Sequence, residues 1–494
     1  MDILFITVPK LIVRSPLLGP ATLSAICEKN GFSTAIMDIN IELWHLLKDK
    51  HMEHIWGEDD PTFMSQVKFN QLVDEYIEGD IVNSWLDTIE RYSPVYIGIS
   101  VLHQRNEHAT RYLINKIIGH KNLCHCKIIL GAPHASVIGP NLLVDNMITA
   151  YVSGDGEEAI INILNGDYNQ PGINGNDPVQ LKELSQYPYP NYKNLDLAKY
   201  VKSNYGVVCE ESLPTETLFI NSSRGCIKRC NFCDVASRWP DFVSKSGEQV
   251  VNEMEYLITR YPQINKFSFT NSLLNGDVPA LYKLCTILNE RKLPLTFYGQ
   301  WITRPRKVLP PEYYDLFKSA GLTHLIIGIE SGSQKINNDM KKGVCIDDIY
   351  YTFEQLTRVG ISSTPLFLIG YPSERYENIK ETITLIKNMV PYKTSISSMA
   401  LGPTCMVTNG TPLHRDIEKH NIRFSSNSGW SWFNENSDFK TRIEWWFEVF
   451  DVVVKSGFRV DHRSTTWLNN EYDTIAKGQY TPAQIANISR EKWQ

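Results

Sequence analysis

Apolar and polar positions alternate in two long blocks of the chain, and each block reads as strands separated by helices. In residues 1–165, apolar runs predict strands at Ile3–Val8, Thr34–Asp38, Val95–Val101, Lys127–Gly131 and Ala150–Ser153. Stretches with helical spacing lie between them, at Ala21–Asn30, Gln66–Arg91 and His108–His120. Gly31 stands where a helix stop is expected. Continuous apolar strands joined by helices imply a parallel, doubly wound sheet covered on both faces. Ligands of such sheets bind at the carboxyl ends of the strands. Pro16, Gly19, Asp38, Asn40, Gly131 to His134 and Gly154 to Glu158 gather there.

The pattern breaks over residues 166–205. Asn, Gly, Asp and Pro are dense around Asn165–Pro178, which is loop chemistry, and Y-P-Y-P-N-Y follows; this stretch reads as a linker. Residues 206–400 resume the alternation. Strands are expected at Glu216–Asn221, Lys266–Thr270, Leu295–Gly299, His324–Gly328, Ser362–Leu368 and Thr394–Ala400. Helices are expected at Gly247–Arg260, Pro279–Glu290, Glu312–Ala320, Asp347–Val359 and Asn378–Met389. Six such units favour a parallel barrel or most of one, with an open sheet as the alternative. Residues 401–494 are less regular. Trp445, Trp446, Phe447, Val449 and Phe450 read as the buried face of a C-terminal helix packed on the barrel rather than a binding site.

Composition narrows the class. A chain of 494 residues, 42% hydrophobic and 21% charged, is an ordinary globular protein too long for one core. Its 49 basic and 55 acidic residues leave a net charge of -6, which speaks against a general nucleic-acid or anionic-membrane binder. The N-terminal apolar run lacks a basic lead and a cleavage site, so it reads as a buried strand and not a signal peptide. No run is long and apolar enough to span a bilayer. Ten cysteines in this length do not make a disulfide scaffold, and a cytoplasmic, reduced protein is expected.

One cysteine group needs its own explanation. C-I-K-R-C-N-F-C places Cys226, Cys230 and Cys233 straight after the first strand of the second block, in a loop opened by Gly225. Packing does not account for three cysteines at this spacing. A structural zinc site would want paired knuckles and a fourth ligand, and Cys209 is the nearest candidate. Cys124 and Cys126 lie on the other block and read as ordinary strand-edge residues. Iron–sulfur chemistry is the preferred reading, because three thiolates leave one iron of a cube open.

The same eight residues match the CxxxCxΦC motif and resemble the radical S-adenosylmethionine (SAM) superfamily, with Phe232 at the aromatic position. That resemblance implies a [4Fe–4S] cluster held by Cys226, Cys230 and Cys233. SAM would chelate the open iron and be cleaved reductively to a 5'-deoxyadenosyl radical that abstracts hydrogen from substrate. It also implies a partial barrel of six βα units. G-I-E-S-G-S, then D-M-K-K-G, look like the family's fourth-strand region, which would assign Glu330 to the SAM ribose and Lys342 to the SAM carboxylate. L-I-G-Y-P-S-E resembles the turn after the fifth strand. After the second strand this chain departs from the pattern, with Asn271 where relatives often carry an acid.

The first block is similar to the domain of the cobalamin-binding branch of that superfamily. P-L-L-G-P-A-T-L-S-A-I, D-I-N, G-I-S, G-A-P-H-A and G-D-G-E-E-A appear in the familiar order. The resemblance implies cobalamin contacts at Gly19, Ser100, Gly131 and Gly154. D-x-H-x-x-G is absent, so no histidine lower ligand is implied; a vestigial domain that shields substrate is the alternative. His134, His103 and His108 read as loop histidines bonded to backbone rather than ligands.

The expected architecture is therefore a doubly wound domain (1–165), a linker (166–205), a radical SAM partial barrel (206–400) and a mainly helical C-terminal segment (401–494) that caps or selects substrate. The expected activity is cobalamin-dependent methylation of an unactivated carbon. Another radical SAM outcome (rearrangement, cyclisation or oxidation) and a metal-stabilised sensor protein are the rivals. Expected partners are a small-molecule or peptide substrate and an external electron donor of the flavodoxin or ferredoxin type, with nucleic acid disfavoured.

Overall fold

The structure is a computed structural model that describes residues 1–461 and residue 464, except 58–59, 205–206, 209–212, 403 and 427. The chain divides into two compact units. One comprises Met1–Phe219 and Tyr256–Asn265; the other runs from Ile220 to Glu255 and from Lys266 onward.

The first unit is built on five parallel strands: β1 (Ile3–Thr7), β2 (Thr34–Asp38), β3 (Tyr96–Ser100), β4 (Lys127–Gly131) and β5 (Ala150–Tyr151). Their order is β2-β1-β3-β4-β5, so the chain reverses direction of growth beside β1. Every residue of β1 and β2 is buried, as strands covered on both faces require. Helices α1 (Leu18–Lys29), α2 (Ile39–Lys48), α3 (Asp80–Tyr92), α4 (Glu107–Gly119), α5 (Ala135–Val144) and α6 (Glu157–Leu164) accompany the sheet. In α3, Val82, Trp85, Leu86 and Ile89 recur on one buried face.

The expected helix over Gln66–Arg91 is interrupted. An α turn at Gln66–Leu72 loosens into a π turn at Val73–Ile77, and Gly79 takes φ +89 before α3 begins. A left-handed residue ends the hydrogen-bond ladder whatever the side-chain periodicity. Helices α2, α5 and α6 were not legible from the pattern. Helix α2 follows β2 with no loop, its start capped by the Asp38 carboxylate accepting from the Ile41 N–H at 3.1 Å. Helix α5 contains Pro140, an unusual residue for a helix interior.

The second sheet holds β6 (Thr217–Ile220), β7 (Lys266–Phe269), β8 (Thr296–Trp301), β9 (Leu322–Glu330), β10 (Ser362–Phe367) and β11 (Ala400–Leu401) in sequential order. The pairings from β7 to β11 are parallel. Helices α7 (Gly247–Arg260), α8 (Val278–Arg291), α9 (Pro311–Ser319), α10 (Gln334–Asp339), α11 (Ile346–Val359) and α12 (Tyr376–Asn388) connect the strands. This is a partial (β/α)6 barrel. In β9, Leu325, Ile327 and Ile329 are fully buried on one face, and His324, Ile326 and Gly328 take the other. The strand expected at Thr394–Ala400 is instead a 3-10 turn, Val390–Ser395, followed by the two-residue β11.

The C-terminal segment contributes α13 (Phe439–Lys455). Trp445, Trp446, Val449 and Phe450 are buried on it, and Trp446 donates to the Gly402 carbonyl at 3.0 Å. The aromatic run is therefore core, except that Phe447, expected on the buried face, is only half-buried because it falls to the side of the stripe that Trp446, Val449 and Phe450 make. Arg442 on the same helix is fully buried, its guanidinium 3.7 Å over the Trp432 ring and donating to the Trp430 and Trp432 carbonyls. Among the described residues no helix is long and apolar enough to cross a membrane.

Candidate functional site

The cysteine loop leaves β6 through a short antiparallel pair, Ser223–Arg224 against Val243–Ser244. Gly225 then takes φ +79, and a Cβ there would lie 2.0 Å from the Asp241 carbonyl oxygen, so only glycine fits the turn. Cys230 is buried, and Cys226 and Cys233 are half-buried. The Lys228 N–H points at Cys226 Sγ at 3.4 Å. Arg229 staples the loop to itself by donating to the Cys226 carbonyl at 2.7 Å and to the Pro240 carbonyl.

Asn231 and Phe232 fix the loop against the end of the fourth βα unit. The Asn231 N–H donates to the Met340 carbonyl at 2.9 Å, and its side chain donates to the Asp339 carbonyl at 2.9 Å. Phe232 packs against a cluster that includes Ile336, Met340, Tyr371, Leu413 and Trp432. Asn271, where an acid was the family expectation, ties the end of β7 to the loop. It accepts the Ser222 N–H at 3.2 Å and donates to Ser222 Oγ at 2.8 Å.

Glu330 ends β9 in the left-handed region, φ +67, where the pairing with β10 slips register. It is 8% exposed and accepts from Lys342 Nζ at 2.5 Å. Lys342 Nζ also lies 5.8 Å from the Phe232 ring centroid, a cation–π distance. Gly328 makes room for this pair: a Cβ there would sit 2.5 Å from Lys342 Nζ and 2.6 Å from Glu330 Oε1. Burial pushes the Lys342 ammonium down, but Glu330 and Cys230 outweigh it and the net direction is up.

The turn after β10 is held by Glu374. Its fully buried carboxylate accepts the Gly370 N–H at 2.6 Å and the Tyr371 N–H at 3.3 Å. Burial raises it to about 7 against the opposing pull of those two donors.

The donor set of the loop suits an iron–sulfur cluster. Three soft sulfurs carry one directed N–H, and the cations Lys228 and Lys342 are in electrostatic reach. Burial pushes the Cys230 thiol up to about 11 and Cys233 up as well, so both are neutral thiols at pH 7. Among the described residues no three His, Cys, Asp or Glu side chains form a preformed metal cage. The metal would draw the thiols together and displace their protons. Cys209, the candidate fourth ligand for zinc, lies outside the described residues.

In the first unit the strand register sets Asp38, Thr7, Ser100 and Gly131 in one row across the carboxyl edge of the sheet. A Cβ added at Gly19 or Gly131 would meet nothing within 4 Å, so those glycines leave open space that the chain itself does not fill. Gly154 differs: with φ +89 and Val179 O 2.3 Å from a notional Cβ, it is needed by the chain's own packing. Gly19 and Gly131 thus leave backbone near the strand ends accessible to a ligand that must approach it closely. His134 Nε2 pairs with Glu107 Oε2 at 3.1 Å, a carboxylate rather than the expected backbone partner. His108 faces the Met64 carbonyl at 3.4 Å, and burial lowers His103 to about 4.

Sequence reasoning missed Asn231, Lys228 and Arg229. All three lie between the cysteines, where the motif allows any residue, and their roles are contacts that spacing does not encode.

Residues 220–386 match the radical SAM superfamily. Anaerobic magnesium-protoporphyrin IX monomethyl ester cyclase of Rubrivivax gelatinosus is 23% identical over 291 residues, 53% of this chain and 49% of that protein. The chain thus spans about half the length of that relative. The cobalamin-dependent S-adenosylmethionine radical enzyme OxsB, solved with aqua-cobalamin bound, superposes with TM-score 0.69 at 14% identity, covering 100% of this chain and 71% of that one. The radical S-adenosylmethionine methyltransferase TsrM of Kitasatospora setae, solved with cobalamin and a [4Fe-4S] cluster, gives TM-score 0.58 at 16% identity, covering 85% of this chain and 78% of that one. At these identities the structural likeness is one of fold.

Proposed function

We propose, since residues 220–386 match the radical SAM superfamily, that the protein is a cobalamin-dependent radical SAM methyltransferase acting on an unactivated carbon. The observation that carries the reading is the joint presence of the C-I-K-R-C-N-F-C loop on a partial barrel and a doubly wound sheet whose carboxyl edge is left open at Gly19 and Gly131. Cys226, Cys230 and Cys233 would hold a [4Fe–4S] cluster. When bound, that cluster supplies the electron that cleaves SAM, and cobalamin supplies the methyl group.

The chain's own residues do the rest. Arg229 and Asn231 fix the loop so that the three thiols stay on one side of the barrel mouth. Glu330 presents carboxylate oxygen to the SAM ribose hydroxyls, with its charge balanced by Lys342, which also stands toward the SAM carboxylate. Phe232 covers Lys342 and keeps water from that side. In the first unit, Ser100, Gly131 and Gly19 would line the cobalamin edge, whereas Gly154 serves the chain's own packing against Val179. An external reductant of the flavodoxin or ferredoxin type supplies electrons, and the C-terminal segment selects substrate.

Anaerobic purification followed by iron and sulfide reconstitution tests the reading. A brown protein that releases 5'-deoxyadenosine from SAM with reductant, and that retains hydroxocobalamin on desalting, supports it. A colourless protein with stoichiometric zinc refutes it. Loss of hydroxocobalamin on desalting leaves the second reading, radical cyclisation without methyl transfer, which the likeness to the anaerobic cyclase favours.

A further inference from the structure

Strand β8 carries one residue out of keeping with its place. Phe297, Tyr298, Gly299 and Trp301 are buried, and between them Gln300 is exposed. β8 is flanked by β7 and β9, so it is not an edge strand. One of its faces is closed by packing. Trp301 meets Phe317 of α9 edge-on, ring centroids 5.8 Å apart, and a Cβ at Gly299 would lie 3.1 Å from Phe269 and 3.2 Å from Leu274. Successive residues of a strand point to opposite faces, so Gln300 looks into the barrel. Barrel interiors are normally filled by bulky branched side chains. An exposed residue there means that this barrel is open inside at the level of Gln300.

The strand register locates the opening. Gln300 pairs with Ile326, which shares its face and is half-buried. Two residues further along β9, about 7 Å, the same face carries Gly328, whose missing side chain makes room for Lys342 and Glu330. The row beneath is closed: Tyr298 is buried, and the His324 ring engages Ser362 Oγ and Thr364 Oγ1, each at 3.2 Å. Lys266 stands lower still, its ammonium 5.4 Å from the Tyr298 ring centroid. Gln300 is therefore on the floor of the opening, with the Glu330–Lys342 pair above it. Its side-chain amide makes no hydrogen bond to any described residue.

The chemistry of that floor selects a class of ligand. Gln300 and Ile326 are uncharged, and the acid and base above them already neutralise each other. A carboxamide offers an acceptor oxygen and an N–H donor side by side. The matching group is a second amide whose C=O and N–H lie on the same side, as in a lactam or a primary carboxamide. A trans peptide bond turns the two apart. We infer that Gln300 is a specificity-determining residue that reads a neutral lactam or primary carboxamide on the substrate. This rests on the proposed radical SAM reading and narrows its substrate to a small molecule bearing that group, rather than a peptide main chain.

Saturation-transfer NMR titration of the reconstituted protein with 2-piperidone and with cyclohexanone tests the inference. The two rings have the same size, and only the first adds an N–H beside its carbonyl. The wild type is expected to bind 2-piperidone about tenfold more tightly, the range for one hydrogen bond in a site built to make it. Gln300→Leu should bind the two rings alike, and Gln300→Asn, with the same amide on a shorter arm, should keep part of the preference. Circular dichroism checks that both variants fold. Equal binding of the two rings by the wild type, no measurable binding of 2-piperidone, or a preference that survives in Gln300→Leu overturns the inference and leaves the radical SAM reading standing. A lactam preference in a reconstituted protein that releases no 5'-deoxyadenosine from SAM sinks that reading and keeps the amide site.

Discussion

Glu330 and Lys342, 12 residues apart, meet at 2.5 Å beside the cysteine loop, and Glu330 reaches this position only through a backbone twist to φ +67. A non-glycine residue in that region is strained, and the surrounding contacts must hold it there. The slip of register between β9 and β10 and the space left by Gly328 both serve this one ion pair.

Removing one partner should therefore cost more than a surface pair would. Glu330→Ala leaves the buried Lys342 ammonium without its carboxylate. Breaking a fully buried pair costs about 3–5 kcal/mol. Both side chains here keep about a tenth of their surface, 12% and 11%, so a loss of about 1–3 kcal/mol in urea unfolding is expected. SAM affinity should fall with it. A stability within about 0.5 kcal/mol of wild type would show the pair to be worth no more than a surface one.

Gly328→Ala tests the same pair without touching its charges. The added methyl would collide with Lys342 Nζ and Glu330 Oε1. Circular dichroism should be unchanged, while calorimetry should report weaker SAM binding. Unaltered SAM affinity would mean that the ion pair does not face the ligand.

Cys230→Ser should abolish iron–sulfur absorption after reconstitution, because serine oxygen is a poor substitute for a soft sulfur ligand. The fold should persist, since Asn231 and Arg229 anchor the loop independently. Full cluster content by iron analysis in this variant would count against the cysteine assignment.

Glu374 gives a pH signature. Its ordinary value is 4.5 and burial raises it to about 7 in the folded protein. The folded state then holds the proton more tightly than the unfolded chain between those values, so stability is full below about 4.5 and declines as pH rises toward 7. Comparison with Glu374→Gln across that window should show a differential loss of up to about 3 kcal/mol in the wild type. Parallel stability curves for the two proteins would contradict it.

Gly131→Leu probes the first unit. A Cβ there meets none of the chain's own atoms within 4 Å, so the branch point of the new side chain is accommodated and the melting temperature should hold. Retention of hydroxocobalamin should be lost, because the side chain takes the space left for ligand. A variant that melts normally and still retains the corrin would place cobalamin elsewhere.

The legibility of this chain varied with the kind of signal. Strands β2 and β4 and helix α7 coincide with the expected ranges, since continuous apolar runs and a 3.6-residue period are local properties. The helix over Gln66–Arg91 was misread because a positive φ at Gly79 leaves no trace in periodicity. The last barrel strand was misplaced because Val390–Ser395 follows 3-10 geometry, which apolar content does not report. Glu330 and Lys342 could be singled out by family likeness, but their mutual pairing could not.

The sequence by itself determined the two alternating blocks, the three thiols at fixed spacing and the glycines at strand ends. Each depends on neighbours within a few residues, and local sterics and residue type suffice to specify it. Only the tertiary structure decided which charges meet: that Glu330 is matched by Lys342, and that Lys228 turns to the Gly343 carbonyl. The reason is that parallel strands bring their carboxyl ends together across connections of many residues, so electrostatics at the mouth is set by topology and not by adjacency along the chain.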